Sequence, residues 1–330
     1  MYPITPTITN HVEGKGPAPR IADSLEGLPA EILLQISGTL PSLDVLWNLM
    51  RASPIIWRLF DCYHNTMIES VLSGPNSITP SNIRKLIRAM VFMRSGQLPF
   101  VNLEEFQIFM HRLLPTDHLP NALRQRMYNR GPDPFHGKFD ETKQYLGPGS
   151  LVQTTAHTAR SVVATASHIS ALSQSCLSSH IARLRHTRFK PSNPAHWPPD
   201  DNIALYHDQL GGPIVVGSGV PLVDMGQPTE PEETRVVRAM WVIQMVCELK
   251  YFVEWRAKTI SWSRFDVYRL LESKLFYLVY FSFGPPGEFP FDPTREVKAA
   301  TQYLDTRGEY RRDIYYRLPR APTPSAVNRG

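Results

Sequence analysis

The sequence has few cysteines, and their spacing does not pair them. Only three occur among 330 residues, at Cys62, Cys176 and Cys247, and this odd, widely spaced set does not suit a disulfide framework. The eleven histidines contain no His-Glu-x-x-His unit, which would place two zinc ligands and a base on one helix face. Cys176 and His180 could share a face, but two ligands do not fill a tetrahedral site. We therefore expect a reduced chain without a metal site.

Glycine-rich loops of the kind that bind phosphate are also missing. The segment 211–213 (Gly-Gly-Pro) and the segment 217–219 (Gly-Ser-Gly) lack the lysine of a phosphate-binding loop and the glycine spacing of a dinucleotide fold. The second segment also has the wrong spacing for a serine nucleophile on a strand-to-helix turn. We therefore expect no catalytic residues, no bound cofactor and no enzymatic activity.

Charge of one sign is not in large excess. The chain has 35 basic and 30 acidic residues, and its net charge of +5 is too small and too mixed to require a nucleic-acid partner. The densest basic cluster, Arg183, Arg185, Arg188 and Lys190 around Phe189, could contact RNA or an acidic partner. A solvated helix end explains the cluster better, so we expect no nucleic acid.

Long apolar runs and internal repeats are absent as well. The longest apolar run, 275–283, is too short to span a bilayer, and the first residues lack the basic and apolar regions of a secretory leader. We expect no membrane contact and a cytoplasmic or nuclear protein. No period of 20 to 50 residues, the range typical of leucine-rich repeats and propeller blades, occurs either. Any receptor domain in this chain is therefore expected to be helical and of another type.

The most sharply patterned stretch is residues 25–60. Pro29 is expected to open a helix, because proline at the first position removes a donor that has no partner there. Gly38 and Pro41 are expected to stop that helix. Its apolar residues are Ile32, Leu33, Ile36 and Leu40. Ser42 is expected to cap a second helix whose start contains Asp44, and Ser53-Pro54 is expected to open a third.

This succession resembles the F-box domain, a short three-helix module that binds an adaptor protein. The opening motif corresponds to Leu28, Pro29, Glu31, Ile32 and Leu33, and the later positions to Leu40, Pro41, Asp44, Leu46, Ser53 and Trp57. The residue pattern formed by Ala52, Ser53, Pro54, Arg58 and Phe60 is similar to that in F-box-like proteins, which are numerous in filamentous fungi. Where a Val-Cys pair usually precedes basic residues and the tryptophan, this sequence has Ala52-Ser53-Pro54-Ile55-Ile56. An ordinary helical hairpin is the alternative interpretation.

The resemblance implies a non-catalytic subunit of a Skp/cullin/F-box ubiquitin ligase. Its partners would be a Skp-type adaptor, a cullin bound through that adaptor, and an unidentified protein substrate recruited by residues from about 75 onward. The residues expected to contact the adaptor are Leu28, Pro29, Ile32, Leu33, Ile36, Leu40 and Trp57. The alternative function is a helical scaffold or small-ligand-binding protein that binds no adaptor.

The sequence predicts a mainly α fold, in which the three-helix F-box-like module continues into an irregular helical domain with long Pro/Gly-rich loops. We expect a disordered arm over 1–23, the F-box-like module over 24–73, the helical domain over 75–318 and a disordered tail over 319–330. The third helix should run on to about Val71, and capping pairs at Asn102/Glu105 and Thr229/Glu232 should start further helices. We also expect an amphipathic helix before Gly96, one or two helices over 150–186 and a buried helix over 236–255. A further helix should run from Ser263 to about Gly284, and an exposed helix should cover 294–304. Short strands are expected at 214–216 and 221–223.

Overall fold

The computed structural model describes residues 25–113, 146, 151, 154–186, 188–189, 220–221, 226–256, 260–273, 294–307, 310–311 and 315–316. Several expectations lie outside these residues: the arm over 1–23, the strand at 214–216, the tail over 319–330 and nearly all of the segment 131–149, whose prolines and glycines predict a loop. They stay predictions.

The described residues form nine α-helices and two short strand pairs, so the prediction of a mainly α fold is confirmed. The helices are α1 Ala30–Gly38, α2 Leu43–Ala52, α3 Pro54–Ser73, α4 Ser81–Arg94, α5 Leu103–Leu113, α6 Ala156–His186, α7 Glu230–Arg256, α8 Arg264–Glu272 and α9 Thr294–Thr306. A 3-10 turn, Leu25–Gly27, precedes α1. The antiparallel pairs are β1 Arg188–Phe189 with β2 Val220–Pro221, and β3 Tyr310–Arg311 with β4 Tyr315–Tyr316.

Both predicted capping pairs are present. The backbone N–H of Glu105 donates to Asn102 Oδ1 at 2.8 Å, and the Glu105 carboxylate accepts from the backbone N–H of Val101 at 2.6 Å. At α7, Glu232 Oε2 accepts from the backbone N–H of Thr229 at 2.8 Å and from its hydroxyl at 2.9 Å. These two bonds lower the pKa of Glu232, because they favour the ionised carboxylate. Side-chain capping therefore fixes where α5 and α7 begin.

The side-chain cap expected at Ser42 is absent, and one arginine of the amphipathic helix α4 is buried. Ser42 occupies the position before α2, but its side chain makes no capping hydrogen bond. The sequence pattern places Arg84, Lys85 and Arg88 opposite the apolar face of α4, yet Arg88 is only 4% exposed. Its guanidinium donates to Glu69 Oε1 at 2.6 Å and to Ser73 Oγ at 2.9 Å. Because α3 supplies these acceptors, Arg88 is buried between two helices instead of lying in solvent.

Two expectations for the second half of the chain are also corrected. The helix from Ser263 ends at Glu272, because Ser273 has an extended backbone with φ −71° and ψ 135°. Helix α9 is not exposed on all sides, since its apolar residues Val297, Ala300, Tyr303 and Leu304 are buried. Helix α6 ends at His186, as predicted, with Arg183 and Arg185 exposed near its end, and Arg188–Phe189 pairs with Val220–Pro221.

Helices α6 and α7 form the centre of the described structure. They pack against each other, α4 packs against both, α2 and α3 pack against α6, and α8 and α9 pack against α7. Helix α1 packs against α3. The buried apolar residues form one continuous core cluster that extends from Leu33 in α1 to Leu304 in α9. The N-terminal helices therefore share a core with the remainder of the chain, and the domain boundary near residue 74 stays a prediction.

Helix α7 is buried almost all round, as its apolar sequence predicted. Nearly every residue from Arg238 to Val253 is shielded from solvent, including the charged residues Glu248 and Lys250. The Lys250 ammonium donates to the carbonyl oxygens of Leu271 at 3.2 Å and Ser273 at 2.7 Å. Burial lowers the pKa of Lys250, against the opposing influence of Cys247 and Glu272. Lys250 thus holds the carboxyl end of α8, where a helix favours positive charge.

Helix α3 extends to Ser73, so the prediction that it continues past Trp57 is confirmed. Its backbone departs from helical geometry at Tyr63, where φ is −124° and ψ is 23°. The next residue, His64, places Nδ1 3.2 Å from the carbonyl oxygen of Asp61 and Nε2 2.6 Å from that of Thr154. The His64 ring therefore joins this kink to the residues just before α6.

Helices α1 and α3 meet at a pair of glycines. A Cβ atom on Gly38 would lie 3.3 Å from Ser70 Cβ, whereas one on Gly74 would lie 3.0 Å from the carbonyl oxygen of Gly38 and closer still to that of Ser70. Flexible side chains can move aside, but these two carbonyl groups belong to the backbone. Gly74 therefore permits the close approach between the ends of the two helices.

Substitution of Gly74 by alanine is expected to destabilise the protein by about 1–3 kcal/mol, because the added methyl group forces the backbone apart. The matched control is Gly38→Ala, which meets only a side chain at 3.3 Å and gains helix propensity of up to about 1 kcal/mol. Urea unfolding of both variants checks the prediction. Equal stabilities would show that the α1–α3 contact does not depend on Gly74.

Candidate functional site

The Leu-Pro opening motif places large apolar side chains in solvent. Leu28 is 38% exposed and Ile32 is 40% exposed, and Pro29 between them is also exposed. Leu25 in the preceding turn is 39% exposed. We call these four residues the α1 apolar surface. Leu25 lies in the turn, Leu28 between the turn and the helix, and Ile32 in the first turn of α1.

Local backbone geometry holds this surface in place. The N–H of Leu28 donates to the carbonyl oxygen of Leu25 at 3.2 Å, which closes the 3-10 turn. Pro29, with φ −56° and ψ 149°, occupies the position before α1, and its carbonyl oxygen accepts from the N–H of Leu33 at 3.1 Å. The helix therefore begins at Ala30, one residue later than the sequence predicted, and the preceding turn adds Leu25 to the surface.

The predicted adaptor contact through Leu33 is wrong for the folded chain. Leu33 is 0% exposed and belongs to the core, so its side chain is unavailable to a partner. Its carbonyl oxygen accepts from the hydroxyl of Ser37 at 2.7 Å, and this serine is also buried. The inward face of α1 therefore consists of Leu33 and Ser37. Helical periodicity could not distinguish this face from the outward one, because apolar residues occupy both.

Ile36, Leu40 and Trp57 are only partly accessible. Each has intermediate exposure, and both Leu40 and Trp57 pack against the core cluster. The Trp57 ring centroid lies 5.9 Å from that of Trp47 in α2, and the Arg160 guanidinium of α6 lies 5.6 Å above the Trp57 ring. Trp57 thus contacts two other helices of its own chain. A role in holding α3 to α2 and α6 competes with the predicted role in adaptor binding.

The side chain of Arg160 links α6 more firmly to α3. Its Nη1 atom lies 2.5 Å from Asp61 Oδ1, in an ion pair whose side chains are 29% and 38% exposed. A partly exposed pair of this kind contributes roughly 0–1 kcal/mol. The cation–π contact with Trp57 adds to it. Both contacts hold α3 against α6.

A buried ionic network lies at the junction of α4, α6 and α7. Arg94 donates to the carboxylate of Glu248, and the two side chains are 0% and 3% exposed. Arg94 Nη1 also donates to Ser161 Oγ at 3.1 Å and to Thr165 Oγ1 at 2.9 Å. Gln244 Nε2 donates to Glu248 Oε1 at 2.7 Å. Arg94 thereby joins α4 to α6 and to α7, which suits a structural role.

A second group of exposed apolar side chains lies on the C-terminal helices. Trp255 at the end of α7 is 60% exposed, and Phe265 and Tyr268 on α8 are 66% and 64% exposed. The Tyr251 ring lies 5.7 Å from Trp255, and the Arg269 guanidinium lies 5.5 Å above Phe265. The sequence does not predict which of these aromatic side chains point outward, because composition does not report the direction of a side chain.

The structure contains few candidates for other chemistry. Over the described ranges, no group of three or more His, Cys, Asp or Glu residues is arranged to hold a metal ion. Cys62, Cys176 and Cys247 are all free. No described helix combines the length and the apolar character that crossing a bilayer requires. Among the described residues, the α1 apolar surface is therefore the site with the clearest link to a sequence motif.

Comparison of the chain with protein-family models, with curated proteins and with solved structures finds no match.

Proposed function

We propose that this chain is a non-catalytic, substrate-recruiting subunit of a Skp/cullin/F-box ubiquitin ligase. In this proposal, the α1 apolar surface binds a Skp-type adaptor, and the helices after residue 75 recruit a protein substrate. The observation that carries the proposal is the exposure of Leu28 and Ile32, at 38% and 40%, within the motif that resembles an F-box opening.

Exposure of one apolar side chain is ordinary, so the argument depends on grouping. Here Leu25, Leu28, Pro29 and Ile32 are exposed together, while Leu33 of the same helix is buried in the core. A partner that covered the group would remove apolar area from water, which stabilises a complex by roughly 25 cal/mol for each Å². Apolar side chains on one helix face are also the usual anchors when a helix binds in a groove.

The attachment of α1 supports such a role. Helix α1 packs against α3, and its carboxyl end is fixed by two further hydrogen bonds. Asn76 Nδ2 donates to the carbonyl oxygen of Thr39 at 3.2 Å, and the N–H of Ile78 donates to that of Pro41 at 3.0 Å. A surface held in this way is already ordered before a partner binds, which lowers the entropy cost of association.

The triple variant Leu28→Ala/Pro29→Ala/Ile32→Ala is expected to fold and to lose adaptor binding. Removal of several anchoring side chains from the centre of an interface weakens binding by at least about thirtyfold, which corresponds to about 2 kcal/mol. The measurement is the dissociation constant of the purified chain for a purified Skp-type adaptor, with circular dichroism to verify the fold.

The matched control is Phe265→Ala/Tyr268→Ala, which removes two exposed aromatic side chains from α8. It is expected to bind the adaptor as the unmodified chain does. A folded triple variant with unchanged affinity would exclude the α1 apolar surface as the adaptor site. Failure of the unmodified chain to bind any Skp-type adaptor would instead favour the scaffold or ligand-binding alternative.

A further inference from the structure

Ile78, in the turn between α3 and α4, presents a large apolar side chain to solvent. It is 72% exposed, more than Leu25, Leu28 or Ile32 of the α1 apolar surface. A single exposed isoleucine is ordinary on a protein surface, so this exposure alone assigns no role. What distinguishes Ile78 is its position, because the folded chain holds it against the end of α1.

Two hydrogen bonds fix the turn that contains Ile78. The N–H of Ile78 donates to the carbonyl oxygen of Pro41 at 3.0 Å, and Asn76 Nδ2 donates to that of Thr39 at 3.2 Å. Helix α1 ends at Gly38, so both acceptors lie just beyond its carboxyl end. The backbone of Ile78 is therefore bonded directly to the segment that follows α1.

Apolar residues connect this turn to the α1 apolar surface. Ile32 and Ile36 lie four residues apart within α1, which places them on adjacent turns of one helix face. Leu40 follows the helix and directly precedes Pro41, whose carbonyl oxygen accepts from Ile78. Ile36 and Leu40 both have intermediate exposure. Accessible apolar residues are therefore present along the whole path from Ile32 to Ile78.

The carboxyl end of α1 is within reach of a partner that covers this helix. The nine residues of α1 rise by about 1.5 Å each, so the helix is only about 13 Å long. A stable protein–protein interface covers about 800 Å² on each partner, which corresponds to a patch about 30 Å wide. An interface of that width, centred on α1, extends beyond both ends of the helix, and the turn with Ile78 lies at one of them.

We propose that Ile78 belongs to the surface that binds the Skp-type adaptor, so that this surface continues past the F-box-like module onto the turn between α3 and α4. The inference rests on the proposed function and adds a contact residue outside the module of residues 24–73. Neither Ile78 nor the apolar residues that connect it to Ile32 carry a charge, which suits an apolar area on the adaptor. Because the turn is already hydrogen-bonded to the segment after α1, binding orders Ile78 at little further cost in entropy.

The test compares Ile78→Lys with Val101→Lys in the full chain, through the dissociation constants of both for a purified Skp-type adaptor. Val101 is 60% exposed, so the two variants add the same charge at exposed apolar residues, and circular dichroism verifies that they fold. Ile78→Lys is expected to weaken binding by at least about tenfold, because the complex would cover an ammonium group that has no partner. Val101→Lys should change the affinity by less than about twofold. Equal affinities of the two variants would overturn the proposal.

Methyl NMR spectroscopy of the unmodified chain covers the case in which Ile78→Lys does not fold. The δ1-methyl signals of Ile32 and Ile78 are assigned with the variants Ile32→Val and Ile78→Val and are followed as the adaptor is added. Both signals are expected to shift, whereas that of Ile83, which is 1% exposed, should not. A shift at Ile32 without one at Ile78 would overturn the role of Ile78 and leave the proposed function intact. No shift at either methyl group would overturn both.

Discussion

Substitution of Arg94 by methionine is expected to lower the free energy of unfolding by about 3–5 kcal/mol, because it leaves the Glu248 carboxylate buried without its cation. Arg94 is 0% and Glu248 is 3% exposed, so water cannot replace the lost partner without a structural change. The hydroxyl groups of Ser161 and Thr165 also lose a donor. Urea unfolding monitored by circular dichroism provides the measurement.

Two further variants make the result interpretable. Asp61→Asn removes the charge from a partly exposed ion pair, in which the Asp61 side chain is 38% exposed, and is expected to cost less than about 1 kcal/mol. The double variant Arg94→Met/Glu248→Met removes both charges and is expected to recover much of the loss, since apolar side chains often replace a buried pair without cost. A loss below about 1 kcal/mol in Arg94→Met would contradict the structural role of the network.

This network illustrates what the sequence could not predict. Arg94 and Glu248 are separated by 154 positions, and neither lies in a local pattern that points to the other. Helical periodicity assigns a residue to a face, but it does not identify the helix that covers that face. Periodicity likewise assigns Arg88 to the polar face of α4, and it does not reveal that Glu69 of the preceding helix covers that position.

Helix boundaries that depend on residues close in the sequence were, by contrast, predictable. Asn102 with Glu105 and Thr229 with Glu232 start helices as expected, because a side-chain cap depends only on residues three positions apart. The continuation of α3 to Ser73 was also predicted, since its apolar stripe ends at a Ser-Gly-Pro stop. The end of α8 at Glu272 was not, because it involves Lys250 of α7 as well as the backbone of Ser273.

The residues of the candidate site also separate into those whose role the sequence predicts and those whose role it does not. The motif located Leu28, Pro29 and Ile32, and the structure places them on the surface. Leu33 and Trp57 share the motif but contact their own chain, since α3, α2 and α6 cover the sides of the module that they occupy. Sequence resemblance therefore identifies residues that matter to the module without separating those that stabilise it from those that can reach a partner.

Alanine at Leu33 and alanine at Leu28 are expected to separate these two roles. Leu33→Ala removes a side chain that is 0% exposed, and the cavity should cost about 2–5 kcal/mol of unfolding free energy. Leu28→Ala, at a residue 38% exposed, should cost less than about 1 kcal/mol. If the proposed function holds, Leu28→Ala weakens adaptor affinity more than Leu33→Ala does. The affinities are measured at a temperature where both variants remain folded.

The reversal distinguishes a binding surface from a general dependence on folding. If Leu33→Ala weakened adaptor binding more than Leu28→Ala at equal folded fraction, the adaptor would have to recognise a rearranged helix in which Leu33 is released. If Leu28→Ala destabilised the fold as much as Leu33→Ala, residues outside the described ranges would have to cover Leu28. The prediction holds only if the buried Leu33 contributes more to stability and the exposed Leu28 contributes more to adaptor affinity. Neighbouring residues at the start of α1 then stabilise the fold and bind the partner separately.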